Sequence, residues 1–269
     1  KESSAASDVY KRQGHHTYVN HIEEAHALLD AARSGLELAH APKDAPIGFA
    51  GYSQGGGASL SAAEYAERYA PDLNVAGTYA GAPPTDLPET MRSIDGSAIA
   101  HVLGYAINGF SERSPEFRDA VLAELNPRGI DFLRSAATSC TGDSVLMWGF
   151  TNTRMLTRTG ESLSGIVERK PVVKETLERQ NLGKAVPNAP VMMASSPSDD
   201  LISHDQVRRT AGAYCSMGGT IDFVAAPGTA TIPRTGIDHA VPLYLEMPVG
   251  LQYLFDRFEG KPAPTNCTA

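Results

Sequence analysis

A serine in a short glycine-flanked motif is the first residue of this chain whose setting suggests chemistry. Ser53 lies at the centre of Gly51-Tyr52-Ser53-Gln54-Gly55, between a short apolar run and an alanine-rich stretch. A strand, a sharp turn and a helix in this order lift a serine hydroxyl above the strand end, where a base can remove its proton. The motif therefore predicts a nucleophile, with Gly51 and Gly55 as the small residues that the turn requires. The alternative is a chance turn whose serine caps the helix.

A carboxylate and a histidine follow Ser53 in the order that serine hydrolysis requires. Asp199 and Asp200 come just after an apolar run, and His239 follows the next predicted strand. The chain order serine, acid, histidine, with each partner in a loop after a strand, is typical of α/β-hydrolases. We favour Asp199 as the acid, because an apolar pair directly after Asp200 buries the following segment. Asp200 is the alternative.

These residue types predict a division of roles. His239 removes the Ser53 proton as the hydroxyl attacks an ester carbonyl, and Asp199 fixes the imidazole tautomer and stabilises the imidazolium. The backbone N–H of Gln54 is predicted as one donor to the oxyanion. His204 is the rival base nearest to the acid loop, and we expect it to pack at a helix entry instead.

The surrounding elements predict a mostly parallel sheet flanked by helices, an α/β-hydrolase fold. Apolar residues at spacings of three and four predict helices, and short apolar runs predict strands. A helix that joins two parallel strands forms a right-handed crossover unit. The predicted strands lie near 47–52, 73–80, 189–195 and 220–225, and the helices around them near 18–36, 56–69, 204–217 and 241–258. We assign 14–83 and 189–269 to this core.

A long insertion, 84–188, separates the second and third predicted strands. Its apolar runs are helical and irregular, with predicted helices near 97–110, 114–125, 130–137 and 172–180. A connection of this length beside a nucleophile strand is typical of a cap or lid. Ordinary helical filler is the alternative. Trp148, Phe150 and Met155 are its bulky apolar residues and are predicted to contact an acyl chain.

The composition of the chain limits the classes of partner and cofactor that it is expected to bind. The net charge of −8 over 269 residues argues against nucleic acid or an anionic membrane surface as a standing partner. No apolar run approaches the ~20 residues of a membrane span, and no signal peptide is visible. The three cysteines form no metal-ligand pattern. We therefore predict neither a metal nor a cofactor, and expect a monomer.

The first residues, 1–13, have neither strand nor helix periodicity and resemble a translated sequencing adapter. We interpret them as a non-native tail, with a disordered native tail as the alternative. The α/β-hydrolase arrangement places an earlier strand and a second oxyanion donor upstream, yet no strand is predicted before Tyr18. We therefore expect N-terminal strands to be missing and the strand before Ser53 to have an open edge. The chain expressed alone is then predicted not to be a competent enzyme.

The chain resembles the secretory lipase (LIP) family of α/β-hydrolases. The resemblance rests on the serine motif, the preceding helix at 29–33, the acid loop at 196–202, Asp238-His239 and the terminal Cys267. It implies a secreted hydrolase with a helical cap, acting on acylglycerols and other carboxylic esters at a lipid–water interface. It also implies a Cys215–Cys267 disulfide and an upstream cysteine as the partner of Cys140.

The leading functional hypothesis is a lipase or carboxylesterase that works through an acyl-enzyme intermediate. A serine peptidase or an acyltransferase on the same scaffold is the second hypothesis, since a fold alone does not choose between them. A non-catalytic hydrolase-like binding protein is the third. The simultaneous presence of Ser53, Asp199 and His239 argues against that third hypothesis.

Overall fold

A computed structural model of the chain describes residues 17–229 and 231–267. The predicted non-native tail, 1–13, lies outside the described residues. The described residues separate into two compact units. One unit contains 21–85, 182–229 and 238–267, and the other contains 17–20, 86–181 and 231–237. The second unit includes most of the predicted insertion and also a later segment, and its role as a cap remains a prediction.

The first unit, which we call the sheet unit, holds four parallel strands in the order β1-β2-β3-β4. Among the described residues, the other three strands therefore lie on one side of β1. Parallel strands end at the same edge of a sheet, so the loops after β1, β3 and β4 lie near one another. The strands are β1 (Ile47–Tyr52), β2 (Val75–Gly81), β3 (Val191–Ser195) and β4 (Ile221–Ala225).

Helices flank this sheet and supply its core. Leu29 and Ala62, from two different helices, are fully buried in one apolar cluster with Phe49 of β1. The last helix packs Tyr253 and Leu254 in a second cluster that contains residues of β2 and β3. In chain order, the helices of the sheet unit are α1 (His21–Leu38), α2 (Gln54–Tyr69), α10 (His204–Ser216) and α11 (Ile237–Phe258).

The second unit, which we call the helical unit, is built from short helices around a core of its own. Three of these helices, at 87–94, 141–148 and 163–169, were not predicted. They have seven or eight residues, about two helical turns. The helices are α3 (Leu87–Ile94), α4 (Val102–Arg113), α5 (Pro115–Leu122), α6 (Pro127–Ala136), α7 (Thr141–Trp148), α8 (Leu163–Arg169) and α9 (Pro171–Glu178), with a 3₁₀ turn at Thr153–Leu156.

The final described residues cover the outer edge of β4. The side-chain amide of Asn266 donates to the Phe223 carbonyl at 2.7 Å, and its oxygen accepts from the Phe223 N–H at 2.9 Å. The Asn266 backbone N–H donates to Ile221 at 3.0 Å. A Cys215–Cys267 disulfide ties this segment to α10, which confirms the predicted pairing. Cys140 is free and exposed.

Helix α11 begins at Ile237, four residues earlier than predicted. His239 therefore lies in the first turn of a helix and not in the loop before it. The exposed backbone donors of a helix N-terminus need acceptors, and the Asp200 carboxylate accepts from the His239 N–H at 3.1 Å. An acceptor 39 residues away leaves no local sequence signal, so the helix start was placed too late. Among the described residues, no helix is long and apolar enough to cross a membrane.

Candidate active site

The backbone at Ser53 turns sharply between β1 and α2. Ser53 has φ 55° and ψ −122°, a conformation that L-residues rarely adopt and that costs of order 1–3 kcal/mol. Its N–H donates to the Gly81 carbonyl at 2.8 Å, which ties the turn to the end of β2. A Cβ at Gly51 would collide with the Gly55 backbone, as the tight turn predicts. A Cβ at Gly55 itself would meet open space, so that part of the prediction is wrong, and Gly56, packed on Gly81, is the second glycine that space requires.

Ser53, His239 and Asp199 form a continuous series of hydrogen-bonding contacts within the sheet unit. The serine Oγ lies 2.8 Å from Nε2 of His239, and Nδ1 of the same ring lies 2.8 Å from Oδ2 of Asp199. The Asp199 side chain is fully buried and His239 is buried. The other carboxylate oxygen of Asp199 accepts from the N–H groups of Leu201 and Ile202 at 2.9 and 2.8 Å. Of the two neighbouring acids, Asp199 is thus the one on the imidazole.

Two residues contact the main chain of His239. Asp200 accepts from the His239 N–H, as described above. The Tyr52 hydroxyl donates to the His239 carbonyl at 2.7 Å, and the two rings pack at 5.4 Å between centroids. Burial, with a smaller contribution from the Asp199 carboxylate, raises the pKa of Tyr52 well above its usual range, so the hydroxyl stays a donor. Sequence analysis missed this role of Tyr52, because 187 positions separate the two partners.

The predicted oxyanion donor, Gln54, is the first residue of α2. Backbone N–H groups at a helix N-terminus have no acceptor four residues earlier in the helix, and the dipole there favours negative charge. The side-chain amide of Gln54 donates to Glu24 of α1 at 2.7 Å, which fixes this residue from the side. The position suits an oxyanion donor, and that role remains a prediction.

The three predicted acyl-contact residues lie in the helical unit and differ in exposure. Trp148 is half-buried, meets Phe132 edge-on at 5.3 Å and donates its indole N–H to Ser135 at 3.0 Å. Phe150 and Met155 are more than half exposed, at 59% and 53%. Trp148 therefore contributes to the packing of its own unit, whereas Phe150 and Met155 present apolar surface. Their contact with substrate remains a prediction.

The rival histidines have other surroundings. Nδ1 of His204 lies 3.1 Å from the Ser195 carbonyl oxygen, and its ring packs against Phe223. His101 is fully buried in the helical unit against Tyr105, and burial lowers the pKa of its imidazole to about 4. Both contacts fit packing histidines, as predicted for His204.

Sequence comparisons place the chain among secretory lipases. The family model described as "Secretory lipase" matches residues 10–266. A protein of Mycobacterium tuberculosis, described as a "probable inactive lipase", is 30% identical over 246 residues, or 90% of this chain and 50% of that protein. A secreted triacylglycerol lipase of Malassezia globosa is 26% identical over 255 residues, or 92% of this chain and 53% of that protein. The chain thus spans about half the length of the curated relatives it matches.

Structural comparison supports the same fold. Candida antarctica lipase A in its closed state matches with a TM-score of 0.80 at 20% identity, over 94% of this chain and 58% of that chain. At this identity the match shows the α/β-hydrolase fold alone, which confirms the predicted fold class. The family model and the 30% identical relative each span most of the chain, so the chain belongs to the secretory lipase family.

Proposed function

We propose that this chain carries the nucleophile, base and acid of a secreted lipase or carboxylesterase that hydrolyses acylglycerols and related carboxylic esters. The observation that carries the proposal is the contact series from Ser53 Oγ through the His239 ring to the buried Asp199 carboxylate. Membership of the secretory lipase family adds the substrate class. Because the chain spans only about half of its relatives, the proposal concerns the whole protein to which the chain belongs.

The proposed reaction has two halves. His239 Nε2 takes the Ser53 proton as Oγ forms a bond to the ester carbonyl carbon, and the resulting tetrahedral intermediate expels the alcohol, which the imidazolium protonates. Water, deprotonated by the same imidazole, then attacks the acyl-serine, and the carboxylic acid leaves as Ser53 regains its proton. Asp199 holds the ring tautomer and stabilises the imidazolium in both halves.

An oxyanion forms twice in this sequence and needs donors. The Gln54 N–H supplies one of them in the proposal, a contribution typically worth ~3 kcal/mol in a water-excluded site. α/β-Hydrolases usually add a second donor from a loop after an earlier strand. Among the described residues no strand precedes β1, so the proposal assigns no second donor within this chain.

One comparison favours the third hypothesis, a protein without hydrolase activity, because a 30% identical relative is described as a "probable inactive lipase". Against it stands the contact series itself, since a binding protein has no need for a buried acid and a histidine aligned on one serine. We therefore keep hydrolysis as the proposal and the inactive form as the competing outcome.

Secretion is part of the proposal. Relatives are named as secreted lipases, and a disulfide such as Cys215–Cys267 persists mainly in oxidising compartments. A monomer that works at a lipid–water interface is the form we propose.

The decisive experiment treats the protein, expressed as its gene encodes it, with nitrophenyl esters of rising chain length, a peptide amide and a fluorophosphonate. The proposal expects ester hydrolysis, little amide cleavage, and a fluorophosphonate adduct on Ser53 that mass spectrometry locates. A folded protein that neither hydrolyses any ester nor reacts with the fluorophosphonate would instead support the inactive form. Efficient amide cleavage would favour a peptidase.

A further inference from the structure

We propose that Tyr52 and Asp200 are positioning residues. They fix the main chain of His239, so that its imidazole keeps a single orientation relative to Ser53. The expected effect on reaction rates rests on the proposed function. The contacts that hold His239 rest on the structure alone. The proposal assigns a role to Tyr52, directly before Ser53, and to Asp200, which accepts from the backbone N–H of His239.

His239 is held at three independent points. Its N–H donates to Asp200 at 3.1 Å, its carbonyl accepts from the Tyr52 hydroxyl at 2.7 Å, and its ring Nδ1 contacts Asp199 at 2.8 Å. The first two contacts fix the peptide groups on both sides of the Cα atom. The third fixes the rotation of the ring about its side-chain bonds. Together they leave Nε2 little freedom to leave the 2.8 Å contact with Ser53.

Tyr52 is placed to couple the base to the nucleophile. It is the last residue of β1 and is bonded covalently to Ser53, whose backbone is strained. A displacement of the turn would therefore move the Tyr52 hydroxyl and, through it, the His239 carbonyl. The packing of the two rings adds a second contact along the same path. Burial keeps the Tyr52 hydroxyl protonated, so the contact persists across the pH range in which an esterase works.

The two neighbouring acids contact different parts of His239. The Asp199 carboxylate binds the ring and the two backbone N–H groups that follow it. The Asp200 carboxylate binds the backbone at the N-terminus of α11, where the helix dipole favours negative charge. Consecutive residues thus set the rotation of the ring and the position of the helix that carries it.

The main experiment compares Tyr52→Phe with Tyr79→Phe in the protein as its gene encodes it. Tyr79 is the matched control, because its buried hydroxyl has no hydrogen-bond partner among the described residues. For Tyr52→Phe we expect kcat with nitrophenyl butyrate to fall about 10-fold with KM unchanged, since one hydrogen bond that aligns the base is lost. Fluorophosphonate labelling should slow by a similar factor. The control should change neither rate.

A second pair of variants tests Asp200. Asp200→Asn keeps an oxygen that can accept from the His239 N–H, whereas Asp200→Ala removes it. We expect Asp200→Ala to lower kcat about 10-fold and Asp200→Asn to restore most of that loss. Equal losses in both variants would indicate that the charge matters and not the acceptor, and would overturn the role given to Asp200.

A spectroscopic readout separates this inference from the proposed function. In protein labelled with ¹⁵N-histidine, His239→Gln assigns the ring signals of His239 without any need for turnover. We expect Tyr52→Phe and Asp200→Ala to shift or broaden those signals, and Tyr79→Phe to leave them in place. An inactive wild type with these shifts would refute the proposed function and keep the inference. Unchanged His239 signals together with unchanged kcat in Tyr52→Phe would overturn the inference.

Discussion

The two outer edges of the sheet are treated differently by the chain. At β4, the side-chain amide of Asn266 reproduces both hydrogen bonds of a neighbouring strand, and a disulfide fixes the segment that carries it. At β1, the described residues provide a strand partner only on the side of β2. Burial does not distinguish the two edges: β1 and β4 each contain one exposed residue, Ala50 and Ala225, whereas all five residues of the interior strand β3 are buried.

The two edges therefore differ in role: a segment of chain covers the β4 edge, whereas the β1 strand leads into the candidate active site. Strands of a parallel sheet are usually buried on both faces, and an unpaired edge is a site for association with other chains. The β4 edge therefore contributes to stability without carrying a proposed catalytic group, whereas β1 leads directly into Ser53, the proposed nucleophile. Variants at the two edges should accordingly affect different measurements.

The largest expected effect belongs to the β1 edge. Ser53→Ala should lower ester turnover by about 10⁴-fold or more, because the proposed nucleophile, base and acid would act as a unit. Alanine adopts the same backbone conformation at no greater cost, so the thermal midpoint should stay within a few degrees of wild type. Steady-state kinetics and a melting curve measure the two effects. Hydrolysis at near wild-type rate in Ser53→Ala would remove this serine from the mechanism.

The next effect belongs to the β4 edge. Replacing both Cys215 and Cys267 by serine should lower the free energy of unfolding by about 4 kcal/mol, since the disulfide closes a loop of 52 residues. Denaturant unfolding measures it, with Cys140→Ser as the control because Cys140 is free and exposed. Fluorophosphonate labelling of the folded fraction should not change. A loss of labelling equal to that of Ser53→Ala would mean that the disulfide at the β4 edge also controls the reactivity of Ser53.

A further prediction, on the pH dependence of stability, concerns the helical unit. The pKa of His101 is lowered to about 4, so the unfolded chain binds more protons than the folded one between pH 4 and its ordinary value near 6.5. Stability should therefore rise with pH across that window, by about 1–3 kcal/mol in total. His101→Phe should flatten this dependence in denaturant titrations at several pH values. An unchanged slope would exclude His101 as its source.

The smallest effect is local to Asn266. Asn266→Ala should cost about 1 kcal/mol, because the side chain is exposed and its two hydrogen bonds compete with water. Hydrogen exchange at the Phe223 amide should accelerate by roughly 10-fold. Asn266→Asp is the matched variant, since it keeps the acceptor for the Phe223 N–H and loses the donor. Protection of Phe223 in Asn266→Asp but not in Asn266→Ala would sharpen the assignment to that single bond.

Sequence patterns predicted those interactions that depend on where residues lie relative to the ends of strands. Ser53, Asp199 and His239 each follow a strand, and parallel strands end at one edge, so their meeting required no knowledge of side-chain packing. The strands themselves were visible as apolar runs.

Contacts between distant main-chain groups were not predictable in the same way. The roles of Tyr52 and Asp200 depend on the peptide groups of His239, which every residue possesses and no pattern marks. Gly56 is close-packed and Gly55 is not, contrary to the prediction, and this depends on where β2 ends beside α2. Such contacts are set by tertiary packing, to which the local sequence contributes little.

The backbone at Ser53 also implies a trade-off between activity and stability. Glycine adopts a φ of 55° without the steric cost that serine bears, so Ser53→Gly should be more stable than Ser53→Ala while being equally inactive. Selection for thermal resistance alone would therefore favour loss of the nucleophile at this position. Under the proposed function, the strain at Ser53 is therefore stability that the fold gives up in order to place its nucleophile.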